Sequence, residues 1–527
     1  MNRDPSSRST DPAPRPPLLP FHWPLEFPEV IVNRGGFDAF IGNPPFAGKN
    51  GILATHGTLY IMMLQASFYG SHGYSDLCTY FFRRAFSLVC RCGLAGLIGT
   101  KSVAQGKARE SGLGWIADNE GVIIRALTEV PWPGQASVLV CVPLVYKGTW
   151  HGLSIHNGIS VSAISSTLEP IAEQTVHVLR CNSGKSTTGF LIYGRGFIIT
   201  VEHAETLLGL DSRNRDVLFP LISVDDILYS RDLRPSQWII DFKDMTEDEA
   251  RQYTLCFQWV EKNVNPERLS CSRKDAQRFW WRLVGRASQF FDVADKLKLK
   301  KVLVNARISK HLVFAFADVG YGFDANINMF TLDSYSGFSV LQSAIHLTWA
   351  DYRASSLKTR RRYTPTTCFD SFPFPPLDCK IPIRVNTEST LFTIGDLLYR
   401  QRTSMLQQEL SGLTELYNLF HDDDCVSGPF RTIRDLHVEM DKAVAAAYGW
   451  IDLELGHGFH ETKQGVRFTI SEPARREVLQ RMLKLNHERY AEEVQQGLHA
   501  KKRGAGTGKR GPGKTKQAPG EVRGLFD

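Results

Sequence analysis

The chain has 527 residues, 43% of them apolar, enough for roughly two to four domains with real cores. No apolar run reaches the roughly 18 residues of a membrane helix, and the N-terminus has no apolar signal core, so no membrane partner is expected. Net charge is +7, but residues 501–527 carry +6 of it, and a body at +1 makes no strong electrostatic case for nucleic acid.

Residues 1–20 are rich in Pro, Ser and Arg and read as a disordered segment. The aromatic, proline-punctuated stretch over 21–30 reads as extended chain packed on a domain surface. Residues 37–41 read as a short buried strand, led in by Gly35 and Gly36 and cut off by Gly42. Pro44 and Pro45 then stop the strand, since neither offers an N–H to a ladder. Asn43-Pro44-Pro45-Phe46 becomes a rigid loop at the carboxyl end of a strand, where open α/β sheets place their ligands. Such a loop suits methylation of a planar amino group. An exocyclic amine has its lone pair delocalised into the ring and is a poor nucleophile. The Asn43 side-chain oxygen and the Pro44 carbonyl can accept its two hydrogens, while Phe46 can stack on the base. An ordinary strand-ending turn is the competing reading.

Farther on, Asp76 opens an apolar helix that runs to about Cys90, with Gly93 as its C-cap. Residues 94–98 read as a strand, 99–106 as a loop and 109–119 as a helix. Strands over 122–128 and 137–146 follow, joined by Pro131-Trp132-Pro133-Gly134. The ten cysteines are scattered; even Cys90 and Cys92, a C-x-C in a helix-like run, lack zinc spacing. They read as core thiols of a reducing cytoplasm, and no metal site is expected.

The tetrapeptide at 43–46 resembles motif IV of gamma-class, S-adenosylmethionine-dependent DNA methyltransferases that act on the adenine amino group. The 21–30 segment resembles the stretch preceding motif IV in large restriction–modification methylases. Thr100-Lys101-Ser102-Val103-Ala104-Gln105-Gly106 with Arg109 resembles their motif VI. Trp132-Pro133-Gly134 resembles their motif VIII turn, which makes Trp132 a candidate to stack on a flipped base; a core tryptophan capping a hairpin is the alternative. The resemblance implies an α/β fold, with a partial class I (Rossmann-like) methyltransferase sheet over 21–150. It also implies methylation of adenine N6 in duplex DNA by base flipping, with Asn43, Pro44, Pro45 and Phe46 as the catalytic loop. RNA and protein-glutamine methylases carry similar loops, but the large region after 150 argues against them.

The glycine-rich donor loop of that family is missing. Only 36 residues precede Phe37, and a βαβ unit takes about 30 structured residues. Ser183-Gly184-Lys185-Ser186 and Gly194-Arg195-Gly196 each lack a glycine of the phosphate-binding patterns. Residues that bind S-adenosylmethionine are therefore unknown in this chain. Two expectations stand open: a second chain supplies the donor-binding half, or the chain is a DNA-recognition subunit or truncated remnant.

Residues 151–385 read as mixed α/β, with landmarks at Leu218-Phe219-Pro220-Leu221, Phe279-Trp280-Trp281-Arg282 and Phe369-Asp370-Ser371-Phe372-Pro373-Phe374. They resemble the target-recognition domain of MmeI-like methylases and the methylase of DISARM-type phage-defence systems. Lys358, Arg360, Arg361 and Arg362 form a basic cluster suited to phosphate contacts, with a solvated loop as the alternative. From 386 to 498 the pattern turns helical: Ile433, Leu436, Met440 and Val444 recur at helical spacing, as do Val478, Met482 and Leu485. A flexible, basic tail occupies 499–527. The partners implied are double-stranded DNA, restriction or defence-system subunits and the second chain, in the cytoplasm.

Removing residues 501–527 is expected to weaken DNA affinity without changing the methylated sequence. Phosphate contacts from a polycation carry no base information, so the slope of log affinity against log salt should become shallower. An unchanged slope would assign the tail to another partner.

Overall fold

The computed structural model describes residues 21–73, 75–132, 139–170, 175–357, 360–375, 390–408, 410–462 and 464–499. The expected disordered segment 1–20, the basic tail from 500 onward, Lys358, Pro133 and Gly134 lie outside them. His499, taken with the tail, is instead folded back, its Nε2 2.8 Å from Glu493 Oε2.

The aromatic stretch over 21–30 is not extended. It forms two helical turns, α1 (Trp23–Glu26) and α2 (Pro28–Ile31). Pro24 and Pro28 sit in the first turns, where a missing N–H costs no hydrogen bond. Trp23 stacks on Phe27 at 5.9 Å and meets Phe37 and Phe40 edge-on at 5.7 and 5.3 Å. These rings seat the segment on the first strand.

A seven-stranded sheet follows, built from β1 (Phe37–Gly42), β2 (Val89–Leu97), β3 (Gly99–Thr100), β4 (Gly121–Pro131), β5 (Leu139–Lys147), β6 (Ser154–His156) and β7 (Ile159–Val161). Its order is β1-β2-β5-β4-β6-β7, with β3 beside β5. The pair β1 and β2 is parallel, whereas β5 is antiparallel to both its neighbours β2 and β4. A parallel pair needs a crossover, here α3 (Lys49–Ser67) and α4 (Leu77–Leu88). The sheet continues through β6 and β7, past the boundary expected at 150.

Two expectations about β1 and β2 are corrected. β1 is not buried: it is an edge strand, with Asp38, Ala39 and Ile41 exposed and Ile41 at 84%. The helix before β2 stops at Leu88, and pairing with β1 begins at once, at Val89 opposite Phe37. The register then jumps to Leu94 opposite Ala39, so 90–93 form a bulge. Gly93 is therefore no C-cap. A Cβ there would lie 3.0 Å from the Phe37 carbonyl oxygen, so the bare residue permits the close approach. Cys90 and Cys92 fall in this bulge, with Cys92 exposed, while Cys78, Cys141, Cys256 and Cys368 are buried.

The expected loop over 99–106 contains β3 and a 3-10 turn, Lys101–Ala104. The helix expected from 109 begins earlier, as Gly106–Arg109. It passes through a π-helical turn, Glu110–Gly114, and ends in Trp115–Asp118. Ser111 to Gly114 are buried on the α4 side of that turn.

Residues 175–499 enclose two further cores. One surrounds the strands Gly322–Phe323, Leu218–Ile222, Gln237–Ile240 and Ile198–Ile199, ordered as named. The other surrounds an antiparallel sheet of Ala315–Asp318, Lys301–Ala306, Ile327–Phe330 and Ser186–Thr188. This core runs without a break into the C-terminal helices, joining Phe314, Trp349 and Phe369 to Leu398, Met440 and Met482. Ile433, Met440, Val444, Val478 and Met482 are buried, as their spacing predicts. The C-terminal region is not wholly helical: Gly458–Thr462 and Gly465–Thr469 form a hairpin. Asn486, on the last helix (Glu472–Gln495), bonds His177 N and O at 2.9 Å and Ser371 O at 2.8 Å, tying that helix to residues that lie in sequence on either side of the two central sheets. Among the described residues, no helix is long and apolar enough to cross a membrane.

Two buried histidines give this shared core a pH dependence. Burial lowers His346 and His437 to about 3 from an ordinary 6.5, so both are neutral at pH 7. Folding depresses these pKa values, so their contribution is present above pH 6.5 and is lost as pH falls towards 3. The urea midpoint should therefore drop between pH 7 and pH 5, and replacing both histidines with glutamine should flatten that slope. A slope unchanged in the double variant would exclude these histidines as its source.

Candidate active site

The Asn43 loop begins where the pairing of β1 ends. The Ile98 N–H donates to the Gly42 carbonyl at 3.1 Å, carrying the ladder to the last strand residue. Pro44 is buried, Asn43 and Pro45 are exposed, and Phe46 is half-buried against the core of the first sheet. Ala47 then anchors the loop at both of its backbone groups. Its N–H donates to Asp76 Oδ1 at 3.2 Å, and its carbonyl accepts from Leu77 N at 2.8 Å. The same Asp76 oxygen accepts from Cys78 N at 3.1 Å, capping α4 at the end where negative charge is favoured. No described residue hydrogen-bonds the Asn43 amide, so both its acceptor and its donors are open to a ligand.

Trp132 comes to this loop from the end of β4. Its ring meets Phe46 edge-to-face, with centroids 6.4 Å apart and planes at 80°. It is half-buried and belongs to none of the hydrophobic cores. The two aromatic residues singled out in the sequence thus stand together beside Asn43. Behind them, Lys101 Nζ lies 2.5 Å from Glu129 Oε1, tying the 3-10 turn to β4. Arg109 Nη1 donates to Ser166 Oγ at 2.7 Å. Burial pushes the Cys78 thiol up and Cys141 to about 12, so neither offers a thiolate at neutral pH.

Sequence reading placed Asp76 at the start of its helix but missed its hold on Ala47, and it missed the pairing of Lys101 with Glu129. The acid just before an apolar helical run signalled the cap but not the loop it holds; the ion pair joins a 3-10 turn to a strand far along the chain and carried no signal.

The described residues do not fit S-adenosylmethionine. Among them no strand pairs with the outer edge of β1, and no glycine-rich strand-to-helix turn adjoins the Asn43 loop.

The basic cluster is split by strand alternation. Arg360 and Arg362 are exposed, whereas Arg361 between them is 6% exposed and donates through Nε to Asp351 Oδ1 at 2.6 Å. Arg361 is therefore an internal ion pair and not a free phosphate contact. This strand pairs with Ile308–Ser309 and Ser355–Leu357, in a sheet separate from the one that carries Asn43.

No curated protein sequence matches the chain. Residues 15–121 match the family model of the Eco57I restriction-modification methylase, and residues 174–376 match that of the MmeI target recognition domain. Among solved structures, the chain is similar to the type IIL restriction-modification enzyme MmeI in complex with DNA. The TM-score is 0.64 at 16% identity, over 86% of this chain and 57% of that one. Weaker similarities reach the type IIG restriction endonuclease BpuSI, at TM-score 0.28 and 11% identity over 78% of this chain and 54% of that one. The DrdV–DNA complex follows, at 0.31 and 10% over 72% and 45%. The chain spans just over half the length of the MmeI enzyme, whose mixed α/β fold it shares. It joins a segment that matches the Eco57I restriction-modification methylase model to one that matches the MmeI target recognition domain model.

Proposed function

We propose that this chain holds and reads the target of an adenine-N6 DNA methyltransferase in a restriction–modification or phage-defence system. The observation that carries the reading is the meeting of Phe46 and Trp132 beside the unpartnered Asn43 amide. A base inside a duplex cannot reach such a loop, so the adenine is flipped out, at a cost of roughly a few kcal/mol. Phe46 and Trp132, nearly perpendicular, receive it as one stacking face and one ring edge. The Asn43 Oδ1 and the Pro44 carbonyl accept the two amino hydrogens and hold the nitrogen lone pair out of conjugation. The loop holds this geometry because Asp76 fixes Ala47 directly after it.

S-adenosylmethionine is the methyl source of this family, and a second chain supplies its seat. The strand order β1-β2-β5-β4, with β5 antiparallel between β2 and β4, supports reading the sheet as the second half of a class I methyltransferase sheet. The first half would then pair with β1. Its open edge and the exposed Ile41, Leu59 and Met62 suit such a partner, since an unpaired apolar edge is a template for another strand. The same open edge favours a second reading, a DNA-recognition subunit or truncated methylase without transfer activity.

Duplex DNA is the substrate on both readings, and the MmeI structure solved with DNA supports it. The target recognition domain reads base edges in the groove, while the exposed Arg360 and Arg362 contact phosphates. The reaction takes place in the cytoplasm, with the DNA.

Asn43→Ala should lower adenine methylation in the reconstituted complex by at least roughly 100-fold while leaving duplex affinity nearly intact. Plasmid methylation at a near wild-type rate by this variant would end the assignment of the loop.

The chain alone is expected not to bind the donor, and co-expression with a polypeptide carrying a glycine-rich donor-binding half should confer donor binding. Calorimetry discriminates: micromolar donor binding by the purified chain alone would refute the two-chain reading. Donor binding without methylation in the complex would favour the recognition-subunit reading.

A further inference from the structure

A cavity of about 350 Å³ lies between the target recognition domain and the C-terminal hairpin, far in sequence from the Asn43 loop. Its wall combines the helices Ala344–Arg353 and Leu413–Phe420, the hairpin, and the start of the last helix. That volume falls within the range of small-molecule sites.

The cavity gathers positive charge from three separate elements: Lys310, Arg361 on its short strand, and Arg467 on the hairpin. Arg361 is paired with Asp351. Lys310 donates to the neutral Asn418 amide oxygen at 2.6 Å and meets no carboxylate among the described residues. The Arg467 guanidinium has no hydrogen bond or ion pair with any described residue. These cations repel one another. Burial, and then the Arg467 charge, lowers the Lys310 ammonium; burial, and then Arg361, lowers the Arg467 guanidinium.

The carboxylates nearby do not relieve this. Asp441 is held by His457 at 2.9 Å and by Ala344 N at 2.8 Å, and Glu472 by Arg475 and Arg476. Glu169 is engaged as well, and Glu461 is exposed. His421, stacked on His311 at 5.2 Å, adds a buried Nδ1 with no partner on the same wall. Burial, then His311 and Arg467, holds His421 well below its ordinary pKa, so it is a neutral ring. Arg475 adds a second orphan, a buried Nη1. The lining also includes the Phe420 and Phe468 rings, edge-to-face at 5.5 Å.

We propose that this cavity binds a nucleoside monophosphate or a ligand of that class, with the phosphate on Arg467 and Lys310 and the planar base against the Phe420 and Phe468 rings. A guanidinium fork matches phosphate oxygens in pairs, and an ammonium adds a point charge. The neutral His421 ring, with its unpartnered nitrogen, is suited to a ribose hydroxyl or a base edge. An anion seated here removes the repulsion among the three cations, so occupancy stabilises the fold. It also bridges the hairpin to Lys310, within the segment that matches the target recognition domain.

Calorimetry and thermal melts of the full chain test this, with AMP, adenosine and inorganic phosphate as separate probes. AMP is expected to bind and raise the melting temperature, phosphate to bind more weakly, and adenosine to show no effect at the same concentration. Arg467→Gln and Lys310→Gln, on different elements, should each weaken AMP by at least about tenfold while leaving affinity for a short duplex unchanged. Failure of the wild-type chain to bind AMP overturns the proposal whatever the variants do. Equal affinity for phosphate and AMP overturns the nucleotide assignment. Loss of duplex affinity in either variant, or displacement of AMP by duplex, gives the cations to the DNA backbone and overturns it as well.

Discussion

Asp76 accepts from two backbone amides at once, Ala47 on the loop side and Cys78 in the first turn of α4. Few other groups can hold that loop. Pro44 and Pro45 have no N–H, and β1 has a partner strand on one side only among the described residues. One carboxylate at a helix N-terminus thus sets the position of Asn43 relative to the sheet. Because α4 packs on the sheet through Phe82, Ala85 and Phe86, the loop inherits the rigidity of that core. The capping bond and the helix dipole act in the same direction here, which suits a site that must not move with its ligand.

Much of this was legible in the sequence, for physical reasons that also explain the misses. Asn43 to Phe46 could be read because two prolines after an apolar run leave few conformations. Trp132 could be read as a candidate, but not its contact with Phe46, which depends on β4 running on to Pro131. The exposure of β1 was not legible, because Phe, Ala and Ile spell the same strand whether a neighbour is present or not. Gly93 read as a helix cap when it serves a backbone approach; a glycine shows that a Cβ is unwelcome but not what excludes it. Arg361 read as one of four equal cations. Only the two-residue period of the strand, unknown until its pairing is known, turns it inward.

The boundary between the target recognition domain and the C-terminal helices is a boundary in sequence pattern only. Strand periodicity gives way to helical periodicity near residue 390, yet Phe314 and Trp349 share one core with Met440 and Met482. Asn486 and Glu493 reinforce the joint with buried polar bonds, Glu493 accepting from Arg180 N and Cys181 N at 2.8 Å each. Such bonds matter less for their net energy than for the penalty of breaking them, since the part-buried backbone groups they satisfy would be left without a protein partner. The helices are therefore a wall of the recognition domain, and a change in them reaches the strands that present Arg360 and Arg362.

That coupling gives the Arg360–Arg362 strand two outlooks. Its outer residues face solvent with unneutralised charge, and its central residue faces the cavity with its charge balanced by Asp351. A duplex on the outside and an anion on the inside would meet the same three-residue strand from opposite faces. Neither contact can shift the strand without the other sensing it, because its pairing with Ile308–Ser309 and Ser355–Leu357 leaves little freedom to slide. Coupling between sites requires a rigid element shared by both, and this strand meets that requirement within a single turn of chain.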